Sequence, residues 1–585
     1  MATSPLPPGG HVVVCGLHDE GLTLVQQLTR VGVPAIVVEQ HPDPRLLAAL
    51  DRLGTPHLRA DPRLPATLEA AGLRTCTALV CVESDDVRTL ATALLARELR
   101  PDLQVVVQLR NAAVGRALEG IGVSVLDVAR LAVPSIVAAC LGTGRRELRL
   151  PGLDLVVAEG TCVRPGTLRG QFGDLAPIAL VHADGTREIS PSRATEVVPG
   201  DRAVVVGTHA DLDRVGLGEQ PSRASERPVF VGARAPRPRR DQRAWWVDVV
   251  RALDRRIPLV VGALASIAGL SVVVLGLGYR EADGTRMSPL DALYFTVETM
   301  ATVGYGDFSF REQDPWLRFW AIGLMALGAT TVAIFFALVT NALVTRQIET
   351  TLGRRRITGM REHVVVVGLG SMGLGVVRGL LDAGVPAVVV EADPDNRLLG
   401  EVRSLGVPVL VADATLPDTW SEVHLDTARA VAVMTSEDLV NLEAGLAARD
   451  LLGDRLGAVP VVLRLFDQSM VRTVAGGFGF RDTRSPAVLA APWFVGEALG
   501  LQVVDTFYVG SEPMLVARMA VSDALVGLRM RELGADIRVV ALVRRGGEVV
   551  SRPGRDTCFE PGDAAYLVGP DEELLTLLRA DEGGR

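Results

Sequence analysis

Two long uncharged runs constrain this chain more than any other feature. Ile257 to Tyr279 is 23 residues without a charge, and at about 1.5 Å of rise per residue such a run matches a hydrocarbon core of roughly 30 Å. Phe319 to Thr345 is a second run, broken only by small polar residues such as Thr330, Thr331, Thr340 and Asn341, and it is long enough to cross with tilt. Runs beyond about 18 residues argue for membrane spans rather than for buried helices of a soluble fold. Arginines crowd both outer flanks: Arg234, Arg237, Arg239, Arg240, Arg243, Arg251, Arg255 and Arg256 before the first run, and Arg346, Arg354, Arg355 and Arg356 after the second. Basic flanks stay on the cytoplasmic side, so both termini are expected in the cytoplasm and the chain in the cell membrane as a multi-pass protein. The segment between the runs carries Glu281, Asp283, Asp291, Glu298, Asp307, Glu312 and Asp314 against only four arginines, Arg280, Arg286, Arg311 and Arg318, which suits an outer face that attracts cations. Trp245, Trp246, Trp316 and Trp320 sit where interfacial anchors belong.

Between the spans, Ser288-Pro289 reads as a helix start, and Leu290 to Met300 is too short to cross a bilayer. A helix there must enter and turn back. It runs into Thr302-Val303-Gly304-Tyr305-Gly306-Asp307, in which glycines at alternate positions permit backbone conformations closed to other residues. Four such strings, one per chain, present rings of carbonyl oxygens that replace the hydration shell of K+. On these residues the segment 257–346 resembles the tetrameric potassium channels of the two-helix prokaryotic type. The resemblance implies a homotetramer with K+ as the permeant ion. It also implies that Glu298 supports the filter from behind, facing Asp307 so that the two carboxyls share a proton, and that Gly328 is a gating hinge, although close helix packing explains a membrane glycine equally well. Ala301 stands where many such channels have threonine, which bears on local packing.

The rest of the chain repeats itself. His11-Val-Val-Val-Cys-Gly16 returns as His363-Val-Val-Val-Val-Gly368, and Glu39, Asp61 and Asp86 return as Glu391, Asp413 and Asp438, all 352 positions later. Pro134 returns as Pro492 and Pro199-Gly200-Asp201 as Pro561-Gly562-Asp563 at slightly larger offsets, so the copies are duplicated domains with a few insertions. Each begins with an apolar strand, a glycine turn, a helix and a second strand ending in an acid, the sequence form of a dinucleotide-binding unit. Here the chain resembles the RCK (TrkA-N and TrkA-C) family of cytoplasmic regulators of potassium conductance, over about residues 10–215 and 361–580.

The copies differ where ligand chemistry is expected. The second keeps Gly368, Gly370, Ser371, Met372 and Gly373 as an intact GxGxxG, so a phosphate can approach the helix N-terminus while Glu391 takes ribose hydroxyls. The resemblance adds Asp413 and Arg464 as further contacts. An acid at Glu391 favours NAD(H) or an adenine nucleotide (ATP, ADP or AMP) over a ribose that carries a phosphate. In the first copy His18 replaces the middle glycine between Gly16 and Gly21, and its imidazole crowds the phosphate path; Glu39 and Asp61 survive, and a structural role outweighs a ligand site. The acids with which similar channels bind Ca2+ fall on Met434, Arg464 and Phe466 in the second copy and on Cys81, Gln108 and Arg110 in the first. That familiar site is absent, and no metal is assigned apart from K+ in the filter.

Length and composition agree. A chain of 585 residues is too long for one domain, and 60 basic against 69 acidic side chains leave no basic excess of the kind nucleic acid recognises. Six cysteines without a CxxC read as reduced structural thiols. MATSPLPPGG lacks the basic and apolar regions of a signal peptide, which keeps the first domain on the cytosolic side. The expected order is a first RCK N-lobe (10–142) and C-lobe (143–215), a Pro- and Arg-rich linker (216–256), a pore domain (257–345), and a second N-lobe (361–500) and C-lobe (501–580). The fold class is therefore α/β and Rossmann-like, twice over, each copy with a small α+β C-terminal lobe, together with an all-α two-helix pore and its re-entrant helix. Four chains are expected to bring eight RCK domains into a cytoplasmic gating ring. A dehydrogenase is disfavoured because no substrate domain or acid/base constellation accompanies the glycine turn, so no enzyme is expected. Two alternatives stay open: a cation-gated RCK channel with a non-standard site, and a nucleotide-binding regulatory subunit of a potassium transporter.

Overall fold

The computed structural model describes residues 10–142, 145–150, 153–184, 186–217, 256–281, 285–351, 357, 359–466, 477–480, 482–510, 512–523, 525–533, 536–551, 553–554, 556–582. Most of the expected linker, with Trp245, Trp246 and the arginines before the first span up to Arg255, lies outside the described residues. The chain divides into two compact units, residues 1–227 with 356–585, and residues 228–355.

In the first unit the two glycine-turn copies build two six-stranded parallel sheets of the same topology. One runs in the order His57–Leu58, Ala35–Val38, Val12–Cys15, Ala78–Cys81, Gln104–Gln108, Ser124–Leu126. The other runs Val409–Val411, Ala387–Glu391, Val364–Val367, Ala430–Val433, Val461–Arg464, Asp482–Arg484. Even the register repeats: Val12 pairs with Ala35 and Ala78, and Val364 with Ala387 and Ala430. The first strands are continuous apolar runs because both faces are covered. In each sheet the chain order reverses beside the first strand, which opens a crevice at the strands' carboxyl ends. Each copy continues into a five-stranded antiparallel sheet, Arg187–Ile189, Ala176–Val181, Arg202–Gly207, Leu153–Thr161, Arg146–Leu150 in the first and Gln502–Val509, Glu512–Ala520, Ala564–Pro570, Arg538–Val543, Val549–Val550 in the second.

The copies exchange helices. Val128–Leu141 and Pro486–Leu499 are apolar nearly all round, and a helix of that kind needs cover on every side. Ile136 and Cys140 join the second copy's core with Val376 and Val377 of helix Ser371–Asp382. Reciprocally, Phe494 and Val495 pack with Leu24 and Leu28 of helix Asp19–Arg30, in a core that continues to Leu574 and Leu575 of the second C-terminal lobe. Gly375 and Gly379 let the first seam close: a Cβ on either would stand 2.7 Å from Val133 Cγ2 or 2.9 Å from Val137 Cγ2. The two antiparallel sheets share a further core of Val157 and Ile178 with Phe507 and Met514. Arg146 clasps Asp505 across this contact, while Gln27 of helix Asp19–Arg30 donates to Asp571 at 2.6 Å beside the other core. All six cysteines are free thiols, five of them buried.

The second unit holds helices Arg256–Gly278, Pro289–Met300 and Pro315–Thr351. The first and third carry apolar stretches of 20 and 27 residues, each long enough to cross a membrane. The last helix begins four residues before the uncharged run and ends six after it, because hydropathy marks the greasy part of a helix and not its ends.

Candidate functional site

The short helix starts as its sequence demands. Ser288 caps it by accepting from the Asp291 N–H at 3.1 Å, and Pro289 fills the first helical position. Beyond its last residue, Met300, the chain enters Thr302–Asp307 with φ of +58° at Thr302, +63° at Gly304 and +86° at Gly306. The two glycines adopt these angles without strain; Thr302 adopts one that β-branched residues avoid. Glu298, only 6% exposed, accepts from the Tyr305 N–H, and the Val303 N–H donates to the Glu298 carbonyl at 3.0 Å, so this one residue holds the string against the helix. Asp307 accepts instead from the Tyr294 hydroxyl at 3.2 Å. Glu298 Oε1 and Asp307 Oδ2 thus have tyrosine partners, while Glu298 Oε2 is buried without one among the described residues. Past the string, Tyr279 is bonded through its hydroxyl to both the N–H and the carbonyl of Ser309, and its ring meets Phe308 and Phe310 edge-on. The long helix passes Gly328 without a break, and a Cβ there would lie 2.7 Å from Met300 Cγ, so packing against the short helix is reason enough for that glycine.

In the second copy Gly368 turns at φ +87° and Gly373 lies beneath it, where a Cβ would come within 2.0 Å of the Gly368 carbonyl oxygen. Above Gly370 there is open space: a Cβ would meet nothing within 4 Å. Helix Ser371–Asp382 therefore presents its positive end to an uncovered approach, with no side chain capping it at Gly370. Glu391 bends back to the turn, accepting from Leu369 N–H at 2.7 Å and from Asp393 N–H at 2.9 Å. Asn396, which no motif singles out, ties the Glu391 carboxylate to the Leu369 carbonyl. Arg464 lies over the Phe466 ring at 4.2 Å and donates to the Thr435 carbonyl at 3.4 Å, and Thr435 is the residue against which Gly368 packs. Burial lowers the pKa of Arg464, opposed by the carboxylates of Glu20 and Asp438. Glu20 belongs to the first copy's glycine-turn helix, so the two turns bear on each other. Asp413 accepts from Thr415 N–H and Oγ1, both at 2.8 Å.

The first copy has the same loop with different contents. Gly16 turns at φ +105°, Gly21 lies under it, and Glu39 accepts from Leu17 N–H at 3.0 Å and His41 N–H at 2.9 Å. His18 begins the helix where the second copy has Gly370, with its side chain making no cap hydrogen bond. Asp61 is clasped by Arg63, whose hydrogen bonds bring its pKa down to about 2. Arg88 also grips Glu83 at 2.6 Å, although burial still pushes that carboxyl's pKa up. Ion pairs thus stand at the first copy's strand ends, whereas in the second copy Thr435 takes the place of Glu83 and bonds to Asn441 and Arg464. Among the described residues no group of three or more His, Cys, Asp and Glu side chains is placed to hold a metal ion.

Comparison with known families agrees with this anatomy. The TrkA-N domain model matches residues 12–127 and 364–473, and the ion channel model matches residues 260–345. Potassium channel protein 1 of Methanocaldococcus jannaschii is 23% identical over 306 residues, which are 50% of this chain and 89% of that protein. Ktr system potassium uptake protein A of Vibrio alginolyticus is 24% identical over 229 residues, 37% of this chain and 97% of that one. Among solved structures, the GsuK RCK domain shares the fold with a TM-score of 0.51 at 15% identity, covering 100% of this chain and 97% of that chain.

Proposed function

For a chain that joins two TrkA-N domains to one ion channel domain and is homologous to archaeal potassium channel proteins, we propose a ligand-gated, potassium-selective channel. Four chains close the filter at Thr302–Asp307 around K+, and their eight RCK domains form a cytoplasmic gating ring. The observation that carries this reading is the filter string itself, held by Glu298 behind a short helix, with left-handed backbone at Gly304 and Gly306. An adenine nucleotide or NAD(H) binds the second copy: its phosphates lie at the uncovered N-terminus of helix Ser371–Asp382, and the carboxylate of Glu391 meets a ribose. Asp413 and Arg464 complete that site. The first copy, with His18 at the turn and its strand ends filled by Arg63 and Arg88, serves as a structural partner. The helix through the membrane ends at Thr351 and the strand of the second copy starts at Val364, so that copy has the shorter mechanical path to the gate.

The test uses the purified full chain in liposomes. K+ flux that excludes Na+ supports the channel, and absence of flux under every nucleotide condition favours a transporter regulator instead. Thermal shifts with NAD, NADH, ATP, ADP, AMP and Ca2+ on wild type and Glu391→Ala then identify the ligand. Equal shifts in both proteins remove Glu391 from the site.

A further inference from the structure

A cavity of about 500 Å3 opens where helix Val128–Leu141 ends, between the first copy's antiparallel sheet and the strand edge Asp482–Arg484 of the second. Neither glycine turn contributes to its walls. Four guanidinium groups do: Arg145, Arg146, Arg202 and Arg484. Three have carboxylate partners, Arg202 with Glu159 at 2.8 Å, Arg484 with Asp482 at 3.1 Å and Arg146 with Asp505 at 2.6 Å. Arg145 has none among the described residues. Arg484 is only 6% exposed and is braced over the Tyr508 ring at 4.9 Å. Despite this burial, Arg484 Nε, Arg145 Nη1 and Arg146 Nη1 have no acceptor. A buried guanidinium N–H without an acceptor is costly, and an excess of such donors around a ligand-sized space is the arrangement an anion satisfies.

The duplication supplies an internal control. Strand Ser124–Leu126 and helix Val128–Leu141 correspond to Asp482–Arg484 and Pro486–Leu499 at a constant offset of 358. The same place in the other half of the pair is a second cavity, lined by Gln104, Glu497 and Val503. There Leu126 stands for Arg484, Val503 for Arg145 and Val504 for Arg146. The fold therefore does not need arginines at this junction, and the charge is particular to one side.

We propose that this cavity binds a small organic anion carrying at least two negative charges, a phosphate or carboxylate compound. Its anionic groups meet Arg145, Arg146 and Arg484, and its apolar part rests on Phe480 and Phe507, which also line the space. Because the walls come from both copies, such a ligand fastens the pair together and is a regulatory input separate from the glycine turn.

The experiment is isothermal titration calorimetry on the purified full chain in detergent, with pyrophosphate and with citrate as probes. Wild type is expected to bind at least one of them at millimolar concentration or tighter. Arg145→Val, which installs the side chain present at the equivalent position of the other half, is expected to weaken that binding at least about tenfold. Arg484→Leu does the same, and should it fail to fold, Arg202→Gln at a half-exposed position takes its place. Glu391→Ala is expected to bind the probe as wild type does. The proposal is overturned if neither probe binds wild type, if Arg145→Val binds unchanged, or if binding is lost in Glu391→Ala, which would place it at the glycine turn.

Discussion

The seam between helices Val128–Leu141 and Ser371–Asp382 allows a quantitative test of how the two copies are joined. Alanine is the better helix former by about 1 kcal/mol, so a Gly→Ala change inside an unobstructed helix stabilises it by that order. Gly400, in helix Leu399–Ser404, is such a place, with nothing within 4 Å of a new Cβ. At Gly375 the new methyl would stand 2.7 Å from Val133 Cγ2, about 1 Å inside ordinary carbon–carbon contact of roughly 3.5–4.0 Å. Overpacking of this kind costs about 1–3 kcal/mol, because two packed helices must separate along their whole length to relieve it. Gly375→Ala is therefore expected to weaken the seam by about 1 kcal/mol net of the propensity gain, whereas Gly400→Ala strengthens its own helix. Val133→Ala removes the methyl that clashes, and in that background Gly375→Ala becomes favourable, giving an interaction energy of about 1–3 kcal/mol. Hydrogen exchange of the backbone amides in 128–141 and 371–382, measured on the full chain in detergent, reads the opening free energy directly. If the four corners of this cycle add within about 0.5 kcal/mol, the two helices are not in the contact described and the reasoning fails.

Two further outcomes follow from individual side chains. Glu298→Ala leaves the Tyr305 N–H without its acceptor, a loss of about 1 kcal/mol for a part-buried hydrogen bond, so single-channel recordings are expected to show faster inactivation, with Tyr294→Phe milder because it removes only a hydroxyl from Asp307; unchanged inactivation in Glu298→Ala speaks against a string held this way. Asp571 is buried and its pKa is raised from 3.8 to about 6, chiefly by loss of hydration; the folded pKa is the higher one, so the stabilisation, about 3 kcal/mol for a shift of this size, is complete below pH 3.8 and is lost as pH rises through about 6. Asp571→Asn should flatten that slope in hydrogen exchange of the Gln27–Asp571 contact, and a variant that keeps the wild-type slope would show that another group carries it.

Much of the site could be read in advance because local physics fixes it. Gly304, Gly306, Gly16 and Gly368 are needed by their own backbone angles, and Gly21 and Gly373 by a carbonyl a few residues before them. These requirements act within one turn of chain, so a motif records them. Glu39 and Glu391 were legible for another reason: the strand–turn–helix–strand unit has a fixed length, so each acid falls 23 positions after its own turn's first glycine and closes on the N–H of the residue that follows that glycine. Asn396, Tyr294 and Thr435 were not legible. Their partners lie across a loop or a neighbouring strand, and no spacing rule singles out one polar residue among several. The partners of Glu298 and Asp307 were likewise beyond the sequence: both acids stand near the string 302–307, and only their side-chain directions show that one accepts from the Tyr305 N–H and the other from the Tyr294 hydroxyl.

The sequence by itself determined that the chain has two membrane-length helices, a string with alternate glycines between them and two copies of a glycine-turn unit. Hydropathy over some twenty residues, a six-residue motif and a fixed repeat offset all survive without knowledge of what lies nearby in space. Tertiary structure alone decided how the copies are used. Pro134 and Pro492 mark corresponding helices in the sequence, yet nothing local says that each helix packs on the other copy's glycine-turn helix. That choice depends on matched surfaces such as Gly375 against Val133 and Phe494 beside Leu24, brought together from hundreds of residues apart. The same long-range closure set Arg145 and Arg484 around one cavity, because charge at a junction acquires meaning only when the fold brings its two sides together.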